Sequence, residues 1–150
     1  MGAMLTPRRP TQLQRRAPEQ SREVRVTRLL FAAFLMAHGA LHPAIYTLPY
    51  DPEKAAFNPS RSWALAAAHV AEQPARTFSA AISVMGGVLF LLSGVALLAD
   101  SSWWVPLAAS GAVLGFVLKG LYFHPWLIVG VLIDVGVLWA AAAAWPPSLV

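Results

Sequence analysis

The chain contains no cysteine. That absence removes disulfides, thiolate metal sites and cysteine nucleophiles together. Charge is scarce as well: 12% of the 150 residues are Asp, Glu, Lys or Arg, about half the share of a soluble domain. Lys54 and Lys119 are the only lysines beside nine arginines, a bias that fits GC-rich coding and a bacterial source. Acidic residues number seven; only Glu72 with Asp134 offers a carboxylate pair, and only if the segment holding Glu72 dips inward. No G-x-S-x-G elbow, phosphate loop or dinucleotide glycine fingerprint occurs. The balance of these absences is against an enzyme.

What is present is apolar. Hydrophobic residues make up 57% of the chain and the mean hydropathy is +0.57, which points to lipid as the solvent. The net charge of +4 suggests nucleic acid only until it is mapped. Arg8, Arg9, Arg15, Arg16, Arg22, Arg25 and Arg28 lie at the N-terminal end, and the remainder sums to −1. The basicity belongs to a tail, so nucleic acid is not a partner.

Residues 1–23 carry Pro7, Pro10 and Pro18 among Gln and Arg and lack apolar periodicity. They read as a disordered basic tail that holds the N-terminus in the cytoplasm. Each Arg near an anionic leaflet would add about 1 kcal/mol of attraction. Residues 24–150 read as one all-α, polytopic domain, an antiparallel bundle of four transmembrane helices at about 26–48, 78–99, 103–123 and 126–145. The long Arg-rich lead and the lack of a small-x-small site favour a first span over a cleaved signal peptide. Pro43 lies late in that span and predicts a kink or an early end, while Tyr46 and Tyr50 suit the interfacial belt. The long connection after it predicts one extra amphipathic helix, capped by Ser60 or Ser62, running to about Glu72 and broken by Pro74. The positive-inside rule places both termini in the cytoplasm of a bacterial cell whose inner membrane the protein would cross as a multi-pass chain.

Small residues mark helix faces. Ser83, Gly87 and Gly94 recur near helical spacing in the second span, and Gly111 and Gly115 form a GxxxG pair in the third. These faces suit close helix approach within the chain, in a homo-oligomer or with a partner membrane protein. Beyond the bilayer itself, the sequence names no partner.

The informative pattern is the outer half of the bundle. The third and fourth spans meet at His124-Pro125 with almost no loop, so they must form a tight hairpin. Its register sets Asp134 level with Gly115, with Lys119 about one turn higher. An unpaired charge there costs about 2.5–3.5 kcal/mol or more, so Lys119 and Asp134 are expected to pair, or Asp134 to be protonated. His38 and His42 share a face at i,i+4, and Tyr46 continues it. Two histidines are not a metal site; His69, His124, Glu72 or Asp134 would have to complete it. Haem would need His124 opposite, because His38 and His42 stand on one helix. No cofactor is required by the sequence. His38, His42, Tyr46, His124, Lys119 and Asp134 are the candidate ligand-binding residues, and His38, His42, His69, His124 and Glu72 the candidate metal ligands.

The opening R-L-L-F-A-A-F-L-M-A-H-G and the closing F-H-P-W-L-I-V-G-V-L-I-D-V-G-V-L-W resemble the first and last spans of DoxX-like and other small four-span bacterial membrane proteins. The resemblance implies a four-helix membrane bundle, sometimes tied to thiol or quinone redox partners. The missing cysteine and the long first outer loop depart from that pattern. Three functions follow as expectations. The first is a non-enzymatic accessory or interaction subunit of a membrane complex. The second is a redox, metal, haem or quinone-headgroup module using the outer histidines. The third is a small proton- or lipid-coupled carrier using Asp134 and Lys119.

Overall fold

A computed structural model describes the backbone of residues 12–49, 51, 53 and 57–149, and side chains from residue 20 onward. The described residues are all helical in their regular structure. They form α1 (Gln12–Thr47), α2 (Trp63–Ala67), α3 (Glu72–Leu98), α4 (Trp104–Leu121), a 3₁₀ turn (Pro125–Leu127) and α5 (Ile128–Ala142). Four segments, Gln20–Thr47, Glu72–Leu98, Trp104–Leu121 and Pro125–Ala142, are long and apolar enough to cross a membrane. The expected all-α four-helix bundle is what forms.

The boundaries differ from expectation in instructive ways. Residues 12–23, read as disordered, continue α1 as helix; once a helix is nucleated, each further residue adds one hydrogen bond. Residues 1–11 of that tail, and the interfacial Tyr50, lie outside the described residues. Pro43 does not end α1, which runs four residues further. Thr47 Oγ1 donates to the Pro43 carbonyl at 2.7 Å. Pro74 breaks nothing, because it stands in the first turn of α3, where an N–H has no intrahelical acceptor. The second span therefore begins at Glu72, six residues earlier than expected.

The predicted loop helix is only one turn long. Ser62 caps it by accepting from Leu65 N, and Ser62 Oγ also donates to the Leu121 carbonyl at 2.6 Å. Trp63 Nε1 donates to the Gly120 carbonyl at 2.8 Å. The loop thus satisfies the orphan carbonyls at the end of α4. Ser79 Oγ donates to the Pro59 carbonyl at 3.0 Å, and the Tyr122 hydroxyl donates to the Ala75 carbonyl. The loop is stitched over the bundle end rather than laid away from it.

α2, α3 and α5 stop in the same way. His69, Asp100 and Ala144 take positive φ just beyond the helix. The following amides then reach back five residues, Val70 to Leu65 O, Ser101 to Ala96 O and Trp145 to Ala140 O, at 2.9, 3.0 and 2.9 Å. This is the Schellman closure, made here without glycine. It ends α5 at Ala142, short of the expected 145. The tail folds back so that Leu149 is buried, and its carbonyl accepts from Trp104 Nε1 at 3.0 Å.

Helix α1 packs on α3, α3 on α4, and α4 on α5. Two apolar clusters fill the interior. One, at the end bearing the termini, joins Ala32, Leu35, Phe90, Leu97, Trp104, Val137 and Leu149. The other, at the loop end, joins Tyr46, Phe57, Leu118, Tyr122 and Leu127.

Candidate functional site

Between the two apolar clusters lies a buried polar quartet. Asp134, about two turns into α5, has no exposed surface. Its Oδ2 accepts from Lys119 Nζ at 2.7 Å, and its Oδ1 lies 2.9 Å from His38 Nε2. Lys119 Nζ is also 2.8 Å from His42 Nε2. The chain His38–Asp134–Lys119–His42 therefore starts and ends on α1 and passes through α5 and α4.

The contacts assign the tautomers. An ammonium only donates, so His42 Nε2 accepts and the ring proton of a neutral His42 is on Nδ1. A carboxylate only accepts, so His38 donates from Nε2. Among the described residues His42 Nδ1 has no hydrogen-bond partner, and neither does the buried hydroxyl of Tyr46 one turn further along the same face. Both are polar groups taken out of water without a partner, a cost of about 1–3 kcal/mol each.

Glycines make the room. A Cβ at Gly115 would stand 2.6 Å from Asp134 Oδ2 and 2.9 Å from His42 Nε2. One at Gly130 would stand 2.6 Å from Lys119 Cε. The hairpin therefore alternates glycine and charge: Gly115 faces Asp134, and Gly130 faces Lys119. This is the register expected from the His124-Pro125 hinge, and the direct Lys119–Asp134 pair is its result.

Phe90 walls the quartet on the α3 side, its ring centre 4.9 Å from that of His38 and 5.4 Å from that of His42. Phe34 stacks on His38 at 6.2 Å. At the loop end Tyr46 closes over the site, edge-on to Phe57 and Tyr122 at 5.2 and 6.1 Å. In this conformation the quartet is sealed from both sides.

Not every expected ligand arrives. His38, His42 and Asp134 offer ligand atoms within 4.8 Å of one another. The other three candidate ligands stand elsewhere. His69 is exposed and serves as the left-handed residue that closes α2. Glu72 is exposed and paired with Arg61 at 3.3 Å. His124 caps the 3₁₀ turn by accepting from Trp126 N at 3.2 Å, and its ring leans on Phe57. Only three residues, Tyr122, Phe123 and His124, separate α4 from that turn; they hold His124 at the rim, so it cannot face His38 or His42 across a haem.

The small-residue faces are spent inside the chain. A Cβ at Gly87 would meet the Gly39 carbonyl oxygen at 2.6 Å, and one at Gly94 would meet Met36 Cγ at 2.4 Å. Gly111 faces Phe90, and Ser83 is buried. Ser83, Gly87, Gly94, Gly111 and Gly115 are buried between helices of this chain, where they set the spacing of α1, α3 and α4. Phe90 is a site residue that spacing arguments missed, and Gly130, which spacing puts on the face of Asp134, belongs to the site although it was not among the candidates. Gly130 was legible in principle, since it lies at the depth of Lys119 in the hairpin. Phe90 was not, because it reaches the histidines only through the choice of helix neighbours.

No protein-family model matches the chain, and neither a curated protein nor a solved structure matches it. The fold and the site define the class directly: a small four-helix membrane bundle with a cluster of ionisable side chains buried in its middle.

Proposed function

We propose that this protein is a small cation-coupled carrier of a bacterial inner membrane, with Asp134 as the seat of the cation. One observation carries the reading. The fully buried carboxylate of Asp134 is balanced by the tip of a flexible lysine rather than by a fixed guanidinium. A lysine ammonium is a point charge on a four-carbon stem, so it can yield its place to another cation and return. Ionisable groups inside a bilayer are costly and mark ion or proton pathways when they persist. The loop-end lid is the natural gate, because Phe57 stands on the connection after α1 while Tyr46 and Tyr122 stand at the ends of α1 and α4, where helices open most easily. The arginine-rich N-terminal end supports a cytoplasmic N-terminus, and four spans return the C-terminus to that side.

The test is flux in proteoliposomes, read with trapped dyes for protons and for divalent metals, and by isotope for sodium and potassium. The wild-type protein is expected to move at least one of these cations, and Asp134→Asn to abolish that flux while eluting as a folded species. A wild-type protein that moves none of them overturns the carrier reading.

A second reading, an accessory subunit, draws support from the same quartet as a lock: it ties α1 to α5, which do not otherwise pack extensively. Its proposed docking faces are the glycines already buried within the bundle, so the carrier reading is preferred.

A further inference from the structure

We infer that the cation taken up at Asp134 is a divalent first-row transition metal, bound by His38, His42 and Asp134 in the place where the Lys119 ammonium now stands. The inference rests on the reading of the quartet as a cation site and names the cation.

The donor set decides the class. Two imidazole nitrogens and one carboxylate oxygen within 4.8 Å suit zinc, cobalt, nickel, iron or copper(II). Calcium and magnesium call for six or more oxygens, mostly carboxylates, carbonyls and waters. The quartet offers one carboxylate.

The lone pairs already converge. His42 Nε2 and Asp134 Oδ2 both accept from Lys119 Nζ, at 2.8 and 2.7 Å. A metal at that point needs bonds of about 2.0–2.2 Å, a contraction of well under 1 Å on each side. Gly115 backs this point, and any side chain there would fill it. His38 is already hydrogen-bonded to the other carboxylate oxygen at 2.9 Å. It becomes the third ligand in its other tautomer, with the proton moved from Nε2 to Nδ1. Water completes the coordination.

The displaced ammonium has somewhere to go. The Tyr46 hydroxyl is buried and has no partner among the described residues. Its ring centre lies 6.1 Å from that of Tyr122, which caps the end of α4 three residues after Lys119. Tyr46 therefore sits on the loop side of Lys119, as Asp134 sits on the inner side. The lysine tip swings outward to the phenol oxygen when the metal enters and returns when it leaves. Lysine-in and metal-in are two exclusive states of one site, since two cations at one carboxylate repel.

Cobalt(II) is the probe, because its visible bands report nitrogen and oxygen ligands in low coordination. Protein purified in mild detergent is titrated with cobalt chloride, followed by absorption and calorimetry. Zinc back-titration and size-exclusion profiles accompany each variant. One cobalt per chain is expected in the wild type, released by zinc. His38→Ala and His42→Ala should each weaken binding by at least about tenfold. Lys119→Gln, which keeps a donor beside Asp134 but removes the competing charge, should tighten it by about tenfold or more. Tyr46→Phe should weaken binding in the wild-type background and change nothing beside Lys119→Gln.

Cobalt binding unaffected by His38→Ala and His42→Ala, or no tighter in a folded Lys119→Gln, overturns the inference. If Lys119→Gln does not fold, the wild-type stoichiometry and the loss with either histidine variant decide alone. No cobalt binding beside an Asp134-dependent flux of protons or monovalent ions sinks the metal and keeps the carrier. Cobalt binding as expected without any flux does the reverse.

Discussion

Helix α1 meets its neighbours along two seams built by opposite means. On one side Gly39 and Gly87 bring α1 and α3 into backbone contact, extended by Ala32, Met36 and Gly94. That seam holds by close packing, since between helices in lipid there is little hydrophobic drive. On the other side His38 and His42 reach Asp134 and Lys119 across a gap the backbones do not close. That seam holds by hydrogen bonds between groups that are costly when alone. The first tolerates no added atom, and the second tolerates no missing one. A scaffold and a site are thus built on two faces of one helix, and only the second face contains anything able to exchange.

Removing one partner of the polar seam should have the largest effect. Asp134→Ala leaves a buried ammonium without its counter-charge and should destabilise the bundle by about 3–5 kcal/mol, measured by unfolding in mixed micelles. Asp134→Asn with Lys119→Met should recover much of that loss, because it removes both charges together. No recovery would mean that the pair is not the source of the cost.

Adding atoms to the glycine seam comes next. Gly87→Val places side-chain carbons against the Gly39 carbonyl and the Pro43 ring, both immobile backbone features. A loss of about 3 kcal/mol is expected, read in the same unfolding assay. If Gly87→Val folds as stably as wild type, the seam is not tightly packed and the comparison fails on that side.

Gly115→Ala tests whether the two seams differ in kind, because it adds a methyl to the polar one. Its Cβ would press on Asp134 Oδ2 and His42, so about 1–3 kcal/mol should be lost. The same substitution should weaken cobalt binding, whereas Gly87→Val, if it folds, should not. Equal effects of both on binding would show that the site is sensed from everywhere.

The smallest effect belongs to a pair outside both seams. Arg61 and Glu72 are 75% and 67% exposed and 3.3 Å apart. Arg61→Ala should change stability by about 0.5 kcal/mol or less. A larger loss would assign the ion pair a part in holding the loop lid shut.

Much of this molecule was legible in the sequence, and the parts that were not share a cause. Hydropathy and length set the four spans. The short hinge at His124-Pro125 leaves α4 and α5 one register, so the pairing of Lys119 with Asp134 and the match of Asp134 with Gly115 could be read from spacing alone. Helix ends were less legible: three Schellman closures use His, Asp and Ala where glycine would have announced them. The roles of His69 and His124 were hidden for the same reason, since a histidine that caps a turn looks in sequence like one that binds a metal.

What the sequence by itself determined is therefore local: which segments are apolar enough to be helices in lipid, and how two helices joined by almost no loop must align. Only the tertiary structure decided which helices α1 touches. His38 and Asp134 are 96 residues apart, and no hinge or period relates them. They meet because α1 lays its glycine face on α3, which turns its histidine face toward α4 and α5. The site exists because of that packing choice, and packing choices depend on shape complementarity summed over whole helices, which spacing along a chain does not encode.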